Sequence, residues 1–133
     1  MLTTAEVIAF VGTTDAGRAK AFYQDKLGLR LVSEEPSHAL VFDAGGTMLR
    51  VSVVPEVPAV PYTVLGWKVD DIGTAVESLV SKGVRFERFP GFSQDARGVW
   101  TALDGTGVAW FRDPDGNTLS LTQFPVERSP RER

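Results

Sequence analysis

Few side chains in this sequence can carry out metal or nucleophilic chemistry. The chain has no cysteine and a single histidine, His38. Thiol catalysis, zinc–thiolate sites and any site built on two imidazoles are therefore excluded. His38 follows two glutamates at the start of a predicted strand, where we expect a surface residue. An acid–base pair with Asp43 or Glu35 is the alternative interpretation.

Length, composition and charge exclude further classes of function. The 133 residues suffice for one compact domain, and 43% hydrophobic with 23% charged residues is typical of a globular chain. A net charge of −3 disfavours nucleic acid and anionic lipid as partners. No apolar run approaches the ~20 residues that span a bilayer. Residues 1–6 lack the basic and apolar regions of a secretory signal, so we expect a cytoplasmic protein with no nucleic-acid or membrane partner.

The first half of the chain predicts the element order βαβββ. Its helix follows Thr14 and Asp15, either of which can cap it, and ends at Gly28. The predicted elements are a strand Ala5–Val11, a helix Ala16–Lys26 and the strands Leu29–Ser33, His38–Asp43 and Met48–Val54.

The second half repeats this pattern after a proline-spaced segment. A shift of 56 residues carries Asp15 onto Asp71 and Gly17 onto Gly73, which indicates an internal repeat. The predicted elements are a strand Thr63–Val69, a helix from Asp71 to Gly83 and the strands Val84–Arg88, Val99–Leu103, Val108–Arg112 and Thr118–Phe124. The predicted domain organisation is a first module 1–54, a linker 55–62, a second module 63–124 and a disordered charged tail 125–133.

Three stretches carry a resemblance to a known family. They are Asp15 with Ala21-Phe22-Tyr23 and Leu27-Gly28, then Val69-Asp70-Asp71-Ile72, and Phe111-Arg112-Asp113-Pro114-Asp115-Gly116-Asn117. From about Val7 to Phe124 the chain resembles the vicinal oxygen chelate superfamily, which groups glyoxalase I, bleomycin-resistance proteins, fosfomycin-resistance enzymes and extradiol dioxygenases. The resemblance implies an α+β fold of two βαβββ modules whose curled mixed sheets form a cup, commonly in a homodimer.

In metal-using members of this superfamily, each of four strands supplies one ligand to a divalent ion. The family spacing places these positions at Ile8, Arg50, Val64 and Ser120, with Ser52 as the alternative to Arg50. Hydrocarbon side chains offer no lone pairs, arginine repels a cation, and a single serine hydroxyl is a weak ligand. We therefore expect no metal and no other cofactor, and neither glyoxalase I nor extradiol dioxygenase activity.

The alternation of strand residues predicts which side chains share the cup. The lining combines aliphatic, aromatic and cationic groups, which is typical of a site for an amphipathic organic ligand. The cations can instead pair with acids or extend into solvent, and the tryptophans can instead fill the core or an interface. The candidate ligand-binding residues are Phe10, Arg50, Tyr62, Lys68, Phe92, Trp100, Trp110 and Ser120.

These observations favour a metal-free protein that binds and sequesters a small organic molecule, and they assign no catalytic residue. The alternative is a metal-dependent lyase, isomerase or dioxygenase with displaced ligands such as Glu6, Tyr62, Glu87 or Asp95. A third hypothesis is a structural or regulatory protein whose cup is filled by side chains. The acidity of the chain favours a cationic ligand whereas Arg50 and Lys68 favour an anionic one, so the charge of the ligand stays open.

Overall fold

The computed structural model describes residues 1–125. Apart from Pro125, the tail expected to be disordered lies outside the described residues. Within 1–125, no helix is long and apolar enough to cross a bilayer. The chain forms two compact units, which we call unit 1 (Met1–Val60 with Asp113–Asn117) and unit 2 (Pro61–Arg112 with the residues from Thr118 on). The module boundaries expected from the sequence stay a prediction.

Unit 1 contains a four-stranded mixed sheet covered on one face by a helix. The strand order is β1-β4-β3-β2; β1 runs parallel to β4 and the other pairs are antiparallel. The helix begins after Asp15, whose side chain accepts a hydrogen bond from the Arg18 N–H at 3.0 Å, and its last turns are π-helical. The elements are a 3-10 turn Leu2–Thr4, β1 Ile8–Thr13, α1 Ala16–Lys20 with the π-helical turn Ala21–Lys26, β2 Arg30–Glu35, β3 Ala39–Ala44 and β4 Thr47–Val53.

Unit 2 repeats the same topology with shorter strands. Its strand order is β5-β8-β7-β6, again with the first pair parallel and the others antiparallel. Asp71 caps the helix by accepting a hydrogen bond from the Thr74 N–H at 3.2 Å. The elements are β5 Leu65–Lys68, α2 Ile72–Ser81, β6 Trp100–Thr101, β7 Gly107–Arg112 and β8 Thr118–Gln123. The α+β fold of two βαβββ modules is confirmed.

One predicted strand is wrong. Residues Val84–Arg88 form only an isolated bridge, between Phe86 and Phe111. The chain leaves the sheet after the Glu87 N–H donates to the Trp110 carbonyl at 2.7 Å. The strand expected at Val99–Leu103 is also shortened, because the chain turns back where the Ala102 N–H donates to the Thr106 carbonyl.

A network of buried and partly buried hydrogen bonds joins the turn Asp113–Asn117 to β1 and to the π-helical turn of unit 1. The hydroxyl of Tyr23, which is fully buried, donates to Asp113 Oδ2 at 2.7 Å. Asn117 Nδ2 donates to the same oxygen at 2.7 Å and to the Gly12 carbonyl at 2.9 Å. Asp115 accepts from the Thr13 hydroxyl at 2.5 Å. The aspartates of this turn therefore serve as structural hydrogen-bond acceptors.

This network predicts that alkaline pH destabilises the protein through Tyr23. Burial, the negative charge of Asp113 and the hydrogen bond to it all raise the pKa of Tyr23. In the unfolded chain the phenol ionises near pH ~10, whereas the folded protein keeps it neutral. The contribution to the free energy of unfolding is therefore complete below pH ~10 and falls by about 1.4 kcal/mol per pH unit above it.

Urea unfolding between pH 8 and 11, compared with Tyr23→Phe, isolates this contribution from that of other groups. We expect the difference in unfolding free energy between wild type and variant to shrink as pH rises above ~10. A difference that stays constant across this range would contradict the assignment.

Candidate functional site

The sheet of unit 2 has one face packed against α2 and one face free of it. Leu119 and Phe111 are fully buried on the α2 side, and Trp67 stacks on Phe111 with ring centroids 6.4 Å apart. Residues of the other face alternate with these. Gly66, Ser120 and Trp110 lie side by side on it across β5, β8 and β7.

An insertion in unit 2 supplies the aromatic residues that cover this face. In unit 1, the pairs Leu31–Phe42 and Glu35–Ala39 are four residues apart on β2. In unit 2, the corresponding pairs are Phe86–Phe111 and Trp100–Val108, which lie 14 residues apart on the edge segment. The partner strands cover equal lengths, since Phe42 and Ala39 on β3 are three residues apart and so are Phe111 and Val108 on β7. The edge segment of unit 2 therefore carries ten extra residues where unit 1 has only a β-bulge.

Gln94 holds the two ends of this insertion together. Its side-chain oxygen accepts from the Phe89 N–H at 2.8 Å. Its side-chain amide donates to the Glu87 carbonyl at 2.9 Å and to the Gly98 carbonyl at 2.8 Å. The single side chain therefore satisfies three backbone groups and fixes the loop that carries Phe89 and Phe92.

Four aromatic rings form a continuous cluster on this face. The centroid of Trp110 lies 5.4 Å from that of Phe89 and 5.6 Å from that of Phe92, both in edge-to-face geometry. Trp100 lies 5.7 Å from Phe92 and 6.3 Å from Trp110. These separations correspond to direct contact, so the rings form a wall rather than an open cage.

A pocket of about 450 Å³ opens beside this wall, within unit 2. Its volume lies in the range of roughly 300–1,000 Å³ that is typical of small-molecule sites. The pocket has aromatic walls, three hydroxyl groups and one cationic group. It is lined by Pro61, Tyr62, Thr63, Phe89, Phe92, Trp110, Arg112 and Thr118.

Arg112 provides the charge of this pocket. Its Nε lies 3.7 Å from Glu87 Oε1, and its side chain is 48% exposed. Within residues 1–125 the guanidinium takes part in no hydrogen bond, so its donors are available to a bound molecule.

The sequence-predicted residues are distributed unevenly around this pocket. Tyr62, Phe92 and Trp110 line it, and Trp100 supports it through contacts with Phe92 and Trp110. Ser120 is buried beneath the wall. Its Oγ lies so close to Gly66 that a Cβ atom added to this glycine would be only 2.8 Å away.

The three remaining predicted residues do not line the pocket. Lys68 lies at the end of β5, opposite Thr122. Phe10 and Arg50 belong to unit 1, where they are neighbours across β1 and β4.

Arg50 is engaged by an acid of its own sheet. Its Nη2 and Nη1 donate to the two carboxylate oxygens of Glu35 at 2.5 and 3.3 Å. The hydrogen bond from Arg50 lowers the pKa of Glu35. In the structure, Arg50 therefore pairs with an acid, which is the alternative to a role in ligand binding.

The sequence reasoning missed several lining residues, of which Phe89 and Arg112 matter most. Arg112 lies two residues after Trp110 on β7, so strand alternation could have placed both on one face. Phe89 carries no such signal, because its position depends on the hydrogen bond from its N–H to Gln94.

A second cavity of about 440 Å³ lies on the α2 side of unit 2. Its polar groups already bind one another. Arg97 Nε and Nη2 both donate to Glu77 Oε2, and Arg88 Nη2 donates to the carbonyls of Asp95 and Ala96. The aromatic pocket is therefore the better candidate site.

Comparison with known proteins agrees with the fold described above. The sequence model of one family, the glyoxalase/bleomycin resistance protein/dioxygenase superfamily, matches residues 6–121. The chain belongs to this superfamily. A search of curated proteins finds no significant match.

Several solved structures share this fold at low sequence identity. A lactoylglutathione lyase from Agrobacterium tumefaciens is 20% identical, with a TM-score of 0.70 over 90% of this chain and 93% of that one. A glyoxalase/bleomycin resistance protein/dioxygenase from Alicyclobacillus acidocaldarius is 19% identical, with a TM-score of 0.70 over 97% and 96%. The fosfomycin resistance protein FosX from Listeria monocytogenes is 14% identical, with a TM-score of 0.70 over 93% and 94%.

The residues that the family spacing assigns to the metal-ligand positions do not fit a divalent cation. Ile8 and Val64 are hydrocarbon, Arg50 is a cation, and Ser120 offers one hydroxyl. Within residues 1–125, no group of three or more histidine, cysteine, aspartate or glutamate side chains is placed to hold a metal ion.

The acids considered as displaced ligands in unit 2 have other partners. Glu87 faces Arg112. Asp95 Oδ1 accepts from the N–H groups of Arg97 and Val99, both at 2.9 Å.

Proposed function

We propose that this superfamily member binds and sequesters a small organic molecule in the aromatic pocket of unit 2, without a metal ion. The observation that carries the proposal is the wall formed by Trp110, Phe89 and Phe92 beside a pocket of about 450 Å³. Flat apolar walls with a few polar groups are the usual chemistry of small-molecule recognition.

The chemistry of the lining favours binding over catalysis. The eight lining residues include no carboxylate, imidazole or thiol, which are the usual groups for proton transfer or nucleophilic attack. Hydroxyls and one guanidinium can orient a ligand by hydrogen bonding. The bound molecule therefore leaves chemically unchanged.

The proposal includes a homodimer in the cytoplasm. On one face of β1 and β4, the apolar side chains of Ile8, Phe10 and Met48 are 45%, 60% and 42% exposed. A second copy of the chain would remove this apolar surface from water. The module boundaries given above, with a linker 55–62, are part of the same proposal.

A thermal-shift screen of aromatic metabolites and antibiotics, followed by equilibrium dialysis, tests the proposed function. We expect at least one compound near saturation to raise the melting temperature and to be recovered unchanged by mass spectrometry. Phe92→Ala removes part of the wall and is expected to weaken the binding of this compound.

The matched control is Leu103→Ala, because Leu103 is fully exposed and does not line the pocket. Equal affinity in the two variants would contradict the placement of the site. Conversion of the ligand to a product would contradict sequestration.

A further inference from the structure

We propose that the pocket selects planar aromatic molecules that carry a carboxylate, and that Arg112 is the residue that recognises this anion. This inference rests on the proposed function and adds the chemical class of the ligand. It depends on which groups the Arg112 guanidinium contacts, on the position of Arg112 relative to the aromatic wall and on the geometry of that wall.

Arg112 differs from the other arginines of the two cavities and the sheets in what its guanidinium binds. Arg50 and Arg97 each donate hydrogen bonds from two guanidinium nitrogens to one carboxylate. Arg88 places a terminal nitrogen on two carbonyls. Arg112 only approaches Glu87 through Nε at 3.7 Å. Its two terminal nitrogens are therefore free, within the described part of the chain, to bind a carboxylate in bidentate geometry.

The position of Arg112 links this anion site to the aromatic wall. Arg112 and Trp110 lie two residues apart on β7 and both line the pocket. Thr118 is the register partner of Arg112 on β8, and its side chain also lines the pocket. A carboxylate bound at Arg112 thus places the attached ring beside Trp110, with a hydroxyl donor next to the anion.

The wall itself does not favour a cationic ligand. Aromatic cages that bind ammonium groups surround the cation with ring faces. Here Trp110 contacts Phe89 and Phe92 edge to face, and Phe89 contacts Phe92 in a tilted arrangement with ring centroids 5.9 Å apart, so no ring-lined space remains between the three rings. The charge of Arg112 adds repulsion for a cation.

Three probes of the same size separate charge from shape: 2-naphthoate, the neutral 2-naphthamide and 2-naphthylmethylammonium. Isothermal titration calorimetry of the full chain is expected to show naphthoate binding about ten-fold more tightly than the amide, since charge-assisted hydrogen bonds are the stronger ones. The ammonium probe is expected to bind most weakly.

Four variants test the role of Arg112. Arg112→Gln is expected to abolish the preference for naphthoate over the amide, and Arg112→Lys to restore only part of it. Glu87→Gln removes the competing acid and is expected to tighten naphthoate binding by about two- to five-fold. Arg85→Gln, at an exposed position, is the matched control and is expected to change nothing.

The outcomes separate this inference from the proposed function. Equal affinities for naphthoate and the amide, or a preference that survives Arg112→Gln, would overturn the inference while leaving a binding pocket. Tightest binding of the ammonium probe would overturn it as well. The absence of binding by all three probes would also overturn the inference. The proposed function would be contradicted only if no compound of the wider panel bound.

Discussion

Replacing Asp113 by alanine is expected to lower the free energy of unfolding by about 3–5 kcal/mol, because buried donors left without acceptors cost about 1–3 kcal/mol each. The Asp113 carboxylate accepts four hydrogen bonds. Two come from buried side chains, the hydroxyl of Tyr23 and the amide of Asn117, both at 2.7 Å. Two come from the backbone N–H groups of Asp115 and Asn117, both at 2.9 Å.

Urea unfolding measures this loss, and Asp25→Ala is the matched control. Asp25 is exposed and is expected to change the unfolding free energy by less than about 0.5 kcal/mol. Similar losses in the two variants would show that the network around Asp113 contributes little to the stability of unit 1.

The second large effect is expected in ligand binding, at Trp110. Its ring contacts those of Phe89, Phe92 and Trp100, so it is the centre of the aromatic wall. Central aromatic residues of a binding site typically contribute about 2 kcal/mol or more. Trp110→Ala is therefore expected to raise the dissociation constant of a bound aromatic compound by at least about 30-fold.

Trp67→Ala is the matched control for this variant. Trp67 is also half-buried, but its ring stacks on Phe111 on the α2 side of the same sheet. We expect it to cost about 2–4 kcal/mol of stability, since truncation of a core tryptophan costs ~3–5 kcal/mol, with little change in affinity for the folded protein. The reverse pattern, with affinity lost at Trp67 and kept at Trp110, would place the site on the other face.

The fold was largely predictable because its signals are local. Asp15 and Asp71 each cap a helix in the structure as their equivalent positions in the repeat predict. The π-helical turn Ala21–Lys26 was not predictable, because it depends on the Leu27 N–H donating to the Phe22 carbonyl five residues earlier. The missing strand at Val84–Arg88 has the composition of a strand, but the insertion that follows takes the chain away from the sheet.

The site was predictable only in part, for a different reason. Tyr62 and Trp110, both proposed from the sequence, line the pocket. Tyr62 lies before β5 begins, so strand alternation alone does not fix its position. The partner of Arg50 depends on strand register, because Glu35 lies on β2 and accepts a hydrogen bond from Arg50 across the intervening strand β3. The availability of Arg112 likewise depends on its separation from Glu87, which no spacing along the chain reveals.

The most direct test of metal-free binding is a titration of chelator-treated protein, purified without a polyhistidine tag, with an aromatic compound from the screen. The protein is first shown by elemental analysis to contain less than stoichiometric metal, and its dissociation constant is then compared with that of untreated protein. We expect the two constants to agree. Binding that disappears with the chelator and returns when zinc, nickel, iron or manganese is added would contradict the account.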